Sequence, residues 1–195
     1  MSSNYKKGFT LIELVIAIFI LSFAVVGVFS IFSMTVILTS DASMRLTGTF
    51  LAQEGMEIVQ NVRDTNWLKM DAQALAGTVT TTWLDDMSCS SGCEADYRAT
   101  ALSPWGDNFL EINSATGFYV YNENDSTETK FKRKIIVEPI TGIDYAAKVT
   151  VQVSWDEKPN ILYRTAREAG ACDSTSNCIT VEKIFYDWYN YVPST

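Results

Sequence analysis

A single carboxylate, Glu13, stands between a basic junction, Lys6-Lys7-Gly8-Phe9, and an uncharged apolar run from Leu14 through Ser40. A carboxylate drawn to the centre of a bilayer costs about 2.5–3.5 kcal/mol, so a residue in this position is expected to have a partner. Cleavage after Gly8 creates one. The new α-amino group of Phe9 and the carboxylate of Glu13 are then opposite charges in the same apolar setting. The chemistry suggested is charge neutralisation after a proteolytic step, with this chain as the substrate of the protease.

Catalytic chemistry of its own is not indicated. Histidine is absent, which removes the commonest general base and the commonest metal ligand. There is no Gly-x-Ser-x-Gly elbow and no glycine loop of the kind that cradles phosphate. The carboxylate pairs Asp85-Asp86 and Asp156-Glu157 fall in turn-like stretches, where Asp is expected in any case. No catalytic residue, cofactor site or metal site is therefore expected, and the chain reads as a non-enzyme. Asn122–Glu128 is rich in oxygen ligands but lacks the EF-hand pattern, and reads as a solvated hairpin tip.

Four cysteines occur as Cys89-Ser-Ser-Gly-Cys93 and as Cys172 and Cys178. Zinc favours tighter Cys-x-x-Cys pairs, so disulfides are expected. Of three possible connectivities, Cys89–Cys93 with Cys172–Cys178 is favoured because each closes a small polar loop, for roughly 2 kcal/mol apiece. Crossed pairing stays open. The run Phe185-Tyr186-Asp187-Trp188-Tyr189-Asn190-Tyr191 reads either as a binding surface or as half core and half exposed edge.

The elements that position these residues follow from hydropathy and period. Phe9–Leu38 exceeds the roughly 20 apolar residues that span a bilayer and is too long for a secretory h-region. Lys6 and Lys7 precede it and the first charge after it is Asp41, so Met1–Gly8 is expected in the cytoplasm and everything after Asp41 outside, as a single-pass protein of the cytoplasmic membrane. The outer compartment favours the disulfides. The chain has 15 Lys plus Arg against 23 Asp plus Glu and a formal net charge of −8. With no basic patch, a nucleic-acid role has no support.

Beyond the span, Met44, Leu51, Ile58 and Val62 continue an apolar stripe, widened by Ala52, Gly55 and Val59, and no proline interrupts Phe9–Asn66. One helix of roughly 55 residues, on the order of 80 Å, is expected. The alternative is two helices broken near Thr39–Asp41, and Gly27 and Gly48 are weak points. After Asn66 the period changes. Ala147, Val149, Val151, Val153 and Trp155 alternate with polar residues as a half-buried strand, and Phe131, Arg133, Ile135 and Val137 read as its neighbour. Phe118–Tyr121 and Ile179–Phe185 suggest further strands, as do Val79–Trp83 and Phe109–Ile112. The expected fold is α+β: residues 1–8 a leader, 9–66 a long helix (9–40 membrane-spanning, 41–66 amphipathic), and 67–195 an antiparallel β domain packed on the helix stripe.

The junction Lys6-Lys7-Gly8-Phe9-Thr10-Leu11-Ile12-Glu13-Leu14 resembles, almost residue for residue, the class III signal of type IV prepilins and type II secretion pseudopilins. The resemblance implies a pilin fold, cleavage between Gly8 and Phe9 by a prepilin peptidase, recognition of the basic residues Lys6 and Lys7, and N-methylation of Phe9. It also implies that Glu13 pairs with a neighbouring subunit's amine, and that the partners are other pilin subunits, the pilus assembly platform and membrane lipid before assembly. Some pseudopilins hold calcium in a loop like Asn122–Glu128. The stretch Leu51–Trp67, with its Asn66-Trp67 exit, is similar to minor pilins of the PilV kind. A minor pilin of a type IV pilus is the expected function. A pseudopilin of a secretion or competence system, or a membrane-anchored adhesin that never polymerises, are the alternatives.

Overall fold

The computed structural model describes Gly8, residues 10–156, Cys172 and residues 177–188. The chain divides into two compact units, Met1–Ser43 and Met44–Thr195. One helix, α1 (Leu11–Leu75, 65 residues), contributes to both.

In the first unit the large apolar side chains of α1 are exposed, apart from the half-buried Ile37. Its hydroxyls satisfy themselves within the helix: Ser22, Ser30, Ser33, Thr35 and Thr39 each donate to the carbonyl four residues back, at 2.8–3.0 Å. A polar side chain that turns back on its own backbone removes most of the penalty of placing it in hydrocarbon. The helix is not broken at Thr39–Asp41.

In the second unit α1 buries Leu51, Ala52, Gly55, Met56, Ile58, Val59 and Val62, the stripe expected from the sequence. The helix runs past Asn66 to Leu75, since Leu68–Leu75 is made mostly of good helix formers. It ends in a Schellman motif. Gly77 has φ 75°, its N–H donates to Ala74 O at 3.1 Å, and Thr78 N donates to Gln73 O at 3.0 Å. Val79–Trp83 is not a strand, because the Gln73 amide oxygen takes the N–H groups of Thr80 and Thr81 at 2.9 and 3.0 Å.

The stripe packs on a five-stranded antiparallel sheet with order β2-β1-β6-β7-β8. Its strands are β1 (Cys89–Glu94), β2 (Ser103–Pro104), β6 (Phe131–Ile140), β7 (Ile143–Trp155) and β8 (Cys178–Tyr186). β6, β7 and β8 form the expected meander, with Ile135 opposite Val151 and Val153 opposite Ile179. β6 takes in Pro139, expected in the connection. Pairing with β1 reaches only to Val137, so the missing N–H of Pro139 disturbs no ladder on that side. A second sheet of order β4-β3-β5 comprises β3 (Glu111–Asn113), β4 (Tyr119–Val120) and β5 (Ser126–Glu128). Phe118–Tyr121 therefore contributes a strand to the small sheet, and part of the expected polar tip, Ser126–Glu128, is itself a strand against β3.

The core holds one charged side chain from the inward face of β6. Arg133 is fully buried. Its guanidinium donates to Leu51 O at 3.1 Å and Ala95 O at 2.7 Å, and lies 3.4 Å from Glu54 Oε1. Gly55 makes room for it: a Cβ there would sit 2.9 Å from both Arg133 Cδ and Val151 Cγ1. Gly48 likewise lets the Trp155 ring approach, with a virtual Cβ 3.1 Å from Cζ3. Both glycines, costly in an isolated helix, are close-approach positions here.

Candidate functional site

Glu13 lies at the start of α1, in its first turn. Thr10 immediately precedes the helix and takes the N-cap position. The Thr10 hydroxyl accepts from Glu13 N at 3.4 Å, and Glu13 Oε2 accepts from Thr10 N and Thr10 Oγ1, each at 3.2 Å. This is a capping box, in which two otherwise orphaned N–H groups are satisfied reciprocally. The carboxylate also sits at the positive end of the helix dipole. In hydrocarbon an unsatisfied N–H costs several kcal/mol, which makes Thr-x-x-Glu an apt start for a membrane helix. The signature was readable from Thr10 and Glu13 alone.

Behind the cap, α1 contains an 18-residue window of mean hydropathy 2.9 near the N-terminus, long and apolar enough to cross a membrane. Gly8 is exposed, and a Cβ there would meet nothing within 4 Å. Lys6, Lys7 and Phe9 lie outside the described residues.

Residues 3–29 match the family described as the prokaryotic N-terminal methylation motif. The chain carries a prepilin-type N-terminus. The match covers the junction, Glu13 and the first part of the apolar run, and it supports a structural, membrane-anchored subunit of the type IV pilin and pseudopilin kind. Proteins with this N-terminus are generally structural and not enzymes. No curated protein and no solved structure matches the chain.

The other expected sites sit in the second unit. Cys89 is bonded to Cys93 and Cys172 to Cys178. The first pair belongs to β1, not to a loop: both sulfurs are buried, and the ladder with β6 slips between Cys89 and Cys93, a bulge spanned by the disulfide. Among the described residues, no group of three or more His, Cys, Asp or Glu side chains is placed to hold a metal ion. In the Asn122–Glu128 segment the contacts run to other parts of the protein. Glu111 accepts from Ser126 Oγ and from Glu123 N, and Glu123 pairs with Arg98 at 2.7 Å.

That Arg98 also meets Asp96 at 2.8 Å, beside a cavity of about 460 Å³ that Glu94 and Tyr121 help to line. Burial works to raise the Asp96 carboxyl, but hydrogen bonds from the Arg98 side chain and backbone, with its charge, hold it below the usual range. Burial pushes the Tyr121 phenol up to about 12, and its hydroxyl donates to Arg133 O at 3.2 Å. Arg98 thus ties Asp96 to Glu123 across this loop.

The aromatic run is divided by the strand period: Phe185 and Asp187 are buried, Tyr186 and Trp188 exposed. Residues 189–191 lie outside the described residues. Asp187 Oδ1 accepts from Trp67 Nε1 at 3.0 Å, which ties the end of β8 to α1. Sequence reasoning did not place Tyr145 with this group. Its N-terminal position in β7 brings it there, with Asp187 N donating to Tyr145 O at 2.8 Å.

Proposed function

We propose that this chain is a minor pilin of a type IV pilus-like filament, cut between Gly8 and Phe9 by a prepilin peptidase, N-methylated on Phe9, and assembled through its apolar helix. The match of residues 3–29 to the methylation motif carries the reading. Before assembly the helix holds the subunit in the cytoplasmic membrane by a single pass, with Lys6 and Lys7 on the cytoplasmic side. After cleavage, Glu13 neutralises the Phe9 amine of the neighbouring subunit and sets axial register. The capping geometry is compatible with this role, because it holds the Glu13 carboxylate at the first turn of the helix through Oε2. Opposite charges 4 Å apart attract by about 4 kcal/mol at an effective dielectric of 20, and burial of the Leu11–Leu38 face supplies cohesion. The outer domain, residues 67–195 together with the amphipathic part of the helix, is carried on the filament surface.

Intact-mass analysis tests the processing step. Protein from a host with prepilin peptidase should lack Met1–Gly8 and begin at N-methylated Phe9. A mature chain beginning anywhere else overturns the reading.

A further inference from the structure

The outermost strand of the large sheet, β8, is paired on one side only. Its ladder with β7 runs from Ser154 opposite Cys178 to Ala146 opposite Tyr186 without a slip. Just beyond its two ends, Trp155 N donates to Asn177 O at 3.1 Å and Asp187 N donates to Tyr145 O at 2.8 Å. Bonded and non-bonded residues alternate in an antiparallel ladder, so the odd-numbered residues of β8 turn their N–H and C=O groups to β7. Those of Thr180, Glu182, Ile184 and Tyr186 point the other way. All four residues are exposed, and among the described residues nothing takes their backbone groups. A long bare edge is a template for another chain, and most proteins blunt it. The opposite edge is blunted, since β2 has two residues and includes Pro104. β8 has nine residues, no proline and no bulge. Its one lysine, Lys183, is turned towards the helix, with Nζ 3.3 Å from Gln60 Oε1.

Such an edge takes a polypeptide backbone in extended form, and the flanking side chains select its sequence. On the helix side of the sheet, Ile179 and Val181 are half-buried against the core, so an added strand gains there from apolar residues. On the other side Glu138 and Glu182 share one cation, with Lys148 Nζ 4.0 and 3.4 Å from them. That trio keeps one negative charge, which a Lys or Arg opposite Glu182 would neutralise. A second copy of this chain is a poor occupant. Its β2 edge is too short to pair along β8. Pairing β8 with β8 about its centre sets the two Glu182 carboxylates on one face, directly or diagonally opposed, where like charges repel.

We propose that the free edge of β8 docks an extended segment of another protein, which adds to the five-stranded sheet as a sixth strand. Its apolar residues lie on the helix side and a Lys or Arg stands opposite Glu182. The site is independent of cleavage after Gly8 and of Glu13.

The probe is the fluorescein-labelled peptide TVTVKVTVT with its valine nitrogens methylated, which blocks the peptide's own second edge and keeps it monomeric. Fluorescence anisotropy is read against the full chain in maltoside micelles, and binding should be saturable. The isomer methylated on its threonine and lysine nitrogens instead can offer β8 only an edge that sends the lysine to the helix side. It should bind about tenfold more weakly or not at all. The peptide with Glu for the central Lys should bind about fivefold more weakly than the original, and Glu182→Gln should erase that difference. Ile184→Pro removes an N–H that faces away from β7, a place where an edge strand tolerates proline, and should weaken binding about tenfold with unchanged circular dichroism. Should Ile184→Pro misfold, Glu182→Gln still decides, because Glu182 is exposed. No saturable binding, equal binding of the two methylated isomers, or a preference for Lys over Glu that survives Glu182→Gln overturns the proposal. So does self-association of the chain that Ile184→Pro abolishes, which would make a second copy the occupant.

Discussion

Gly55→Ala sets two well-defined effects against each other. In an exposed helix interior, alanine for glycine stabilises by about 1 kcal/mol. At this position the added methyl would sit 2.9 Å from Arg133 Cδ and 2.9 Å from Val151 Cγ1, both fully buried. Forcing a methyl into a packed core costs typically 1–3 kcal/mol. If Arg133 moves aside instead, it strains charged hydrogen bonds to Leu51 O and Ala95 O, worth about 1.5–3 kcal/mol each. The steric cost wins, and after the helix gain of about 1 kcal/mol is subtracted the net loss is roughly 0.5–2 kcal/mol. At about 2–4 °C per kcal/mol for a unit of this size, the midpoint should fall by roughly 1–8 °C. The assay is thermal unfolding of the full chain in micelles, followed by near-UV circular dichroism. Val151→Ala, which removes one clashing methyl, should cost less in the Gly55→Ala background than alone. A Gly55→Ala midpoint equal to or above wild type would refute the packing of Arg133 against the helix.

Thr10→Val deletes the capping hydroxyl but keeps the shape, and should destabilise the first turn of α1 by about 1 kcal/mol, whereas Thr10→Ser should not. Amide exchange at Glu13 in micelles reads this, and equal protection in Thr10→Val would refute the capping box. Tyr121 is held neutral, with a folded-state value of about 12 against an ordinary 10. Its contribution to stability is thus fully present below pH 10 and is lost as pH rises towards 12. The stability advantage of wild type over Tyr121→Phe should shrink across that window, and a constant gap would contradict the assignment. Non-reduced peptide mapping should find Cys89 joined to Cys93 and Cys172 to Cys178. Peptides linking one pair to the other would reject the pairing.

The period-based features were legible because burial writes them directly into the sequence. The helix stripe from Leu51 to Val62 and the alternation along Ala147–Trp155 both face the core. Even Arg133, at an inward position of Phe131–Val137, broke no pattern, and only the structure shows the backbone carbonyls that take its two terminal nitrogens. What the pattern missed was decided by local polar bonds. Val79–Trp83 has strand-like residues, but Gln73 takes its amides and Gly77 ends the helix just before it. Cys89–Glu94 has no strand composition, yet the disulfide-spanned bulge holds it against β6. At the candidate assembly site the Glu13 signal was plain, whereas around Tyr186 and Trp188 only the aromatic run showed, and Tyr145 joins it from a position distant in sequence.

The most direct test of the assembly mechanism is a count of tagged subunits in sheared filaments against those left in the membrane, for wild type and Glu13→Leu. Removing the charge makes the helix more apolar and leaves the Gly8–Phe9 bond and its basic flank intact, so insertion and cleavage should persist. Incorporation should fail, because the Phe9 amine it must accommodate is left buried and unpaired, and Glu13→Asp should fall between the two. Incorporation of Glu13→Leu at the wild-type level would contradict the account and leave Glu13 with no role beyond capping its own helix.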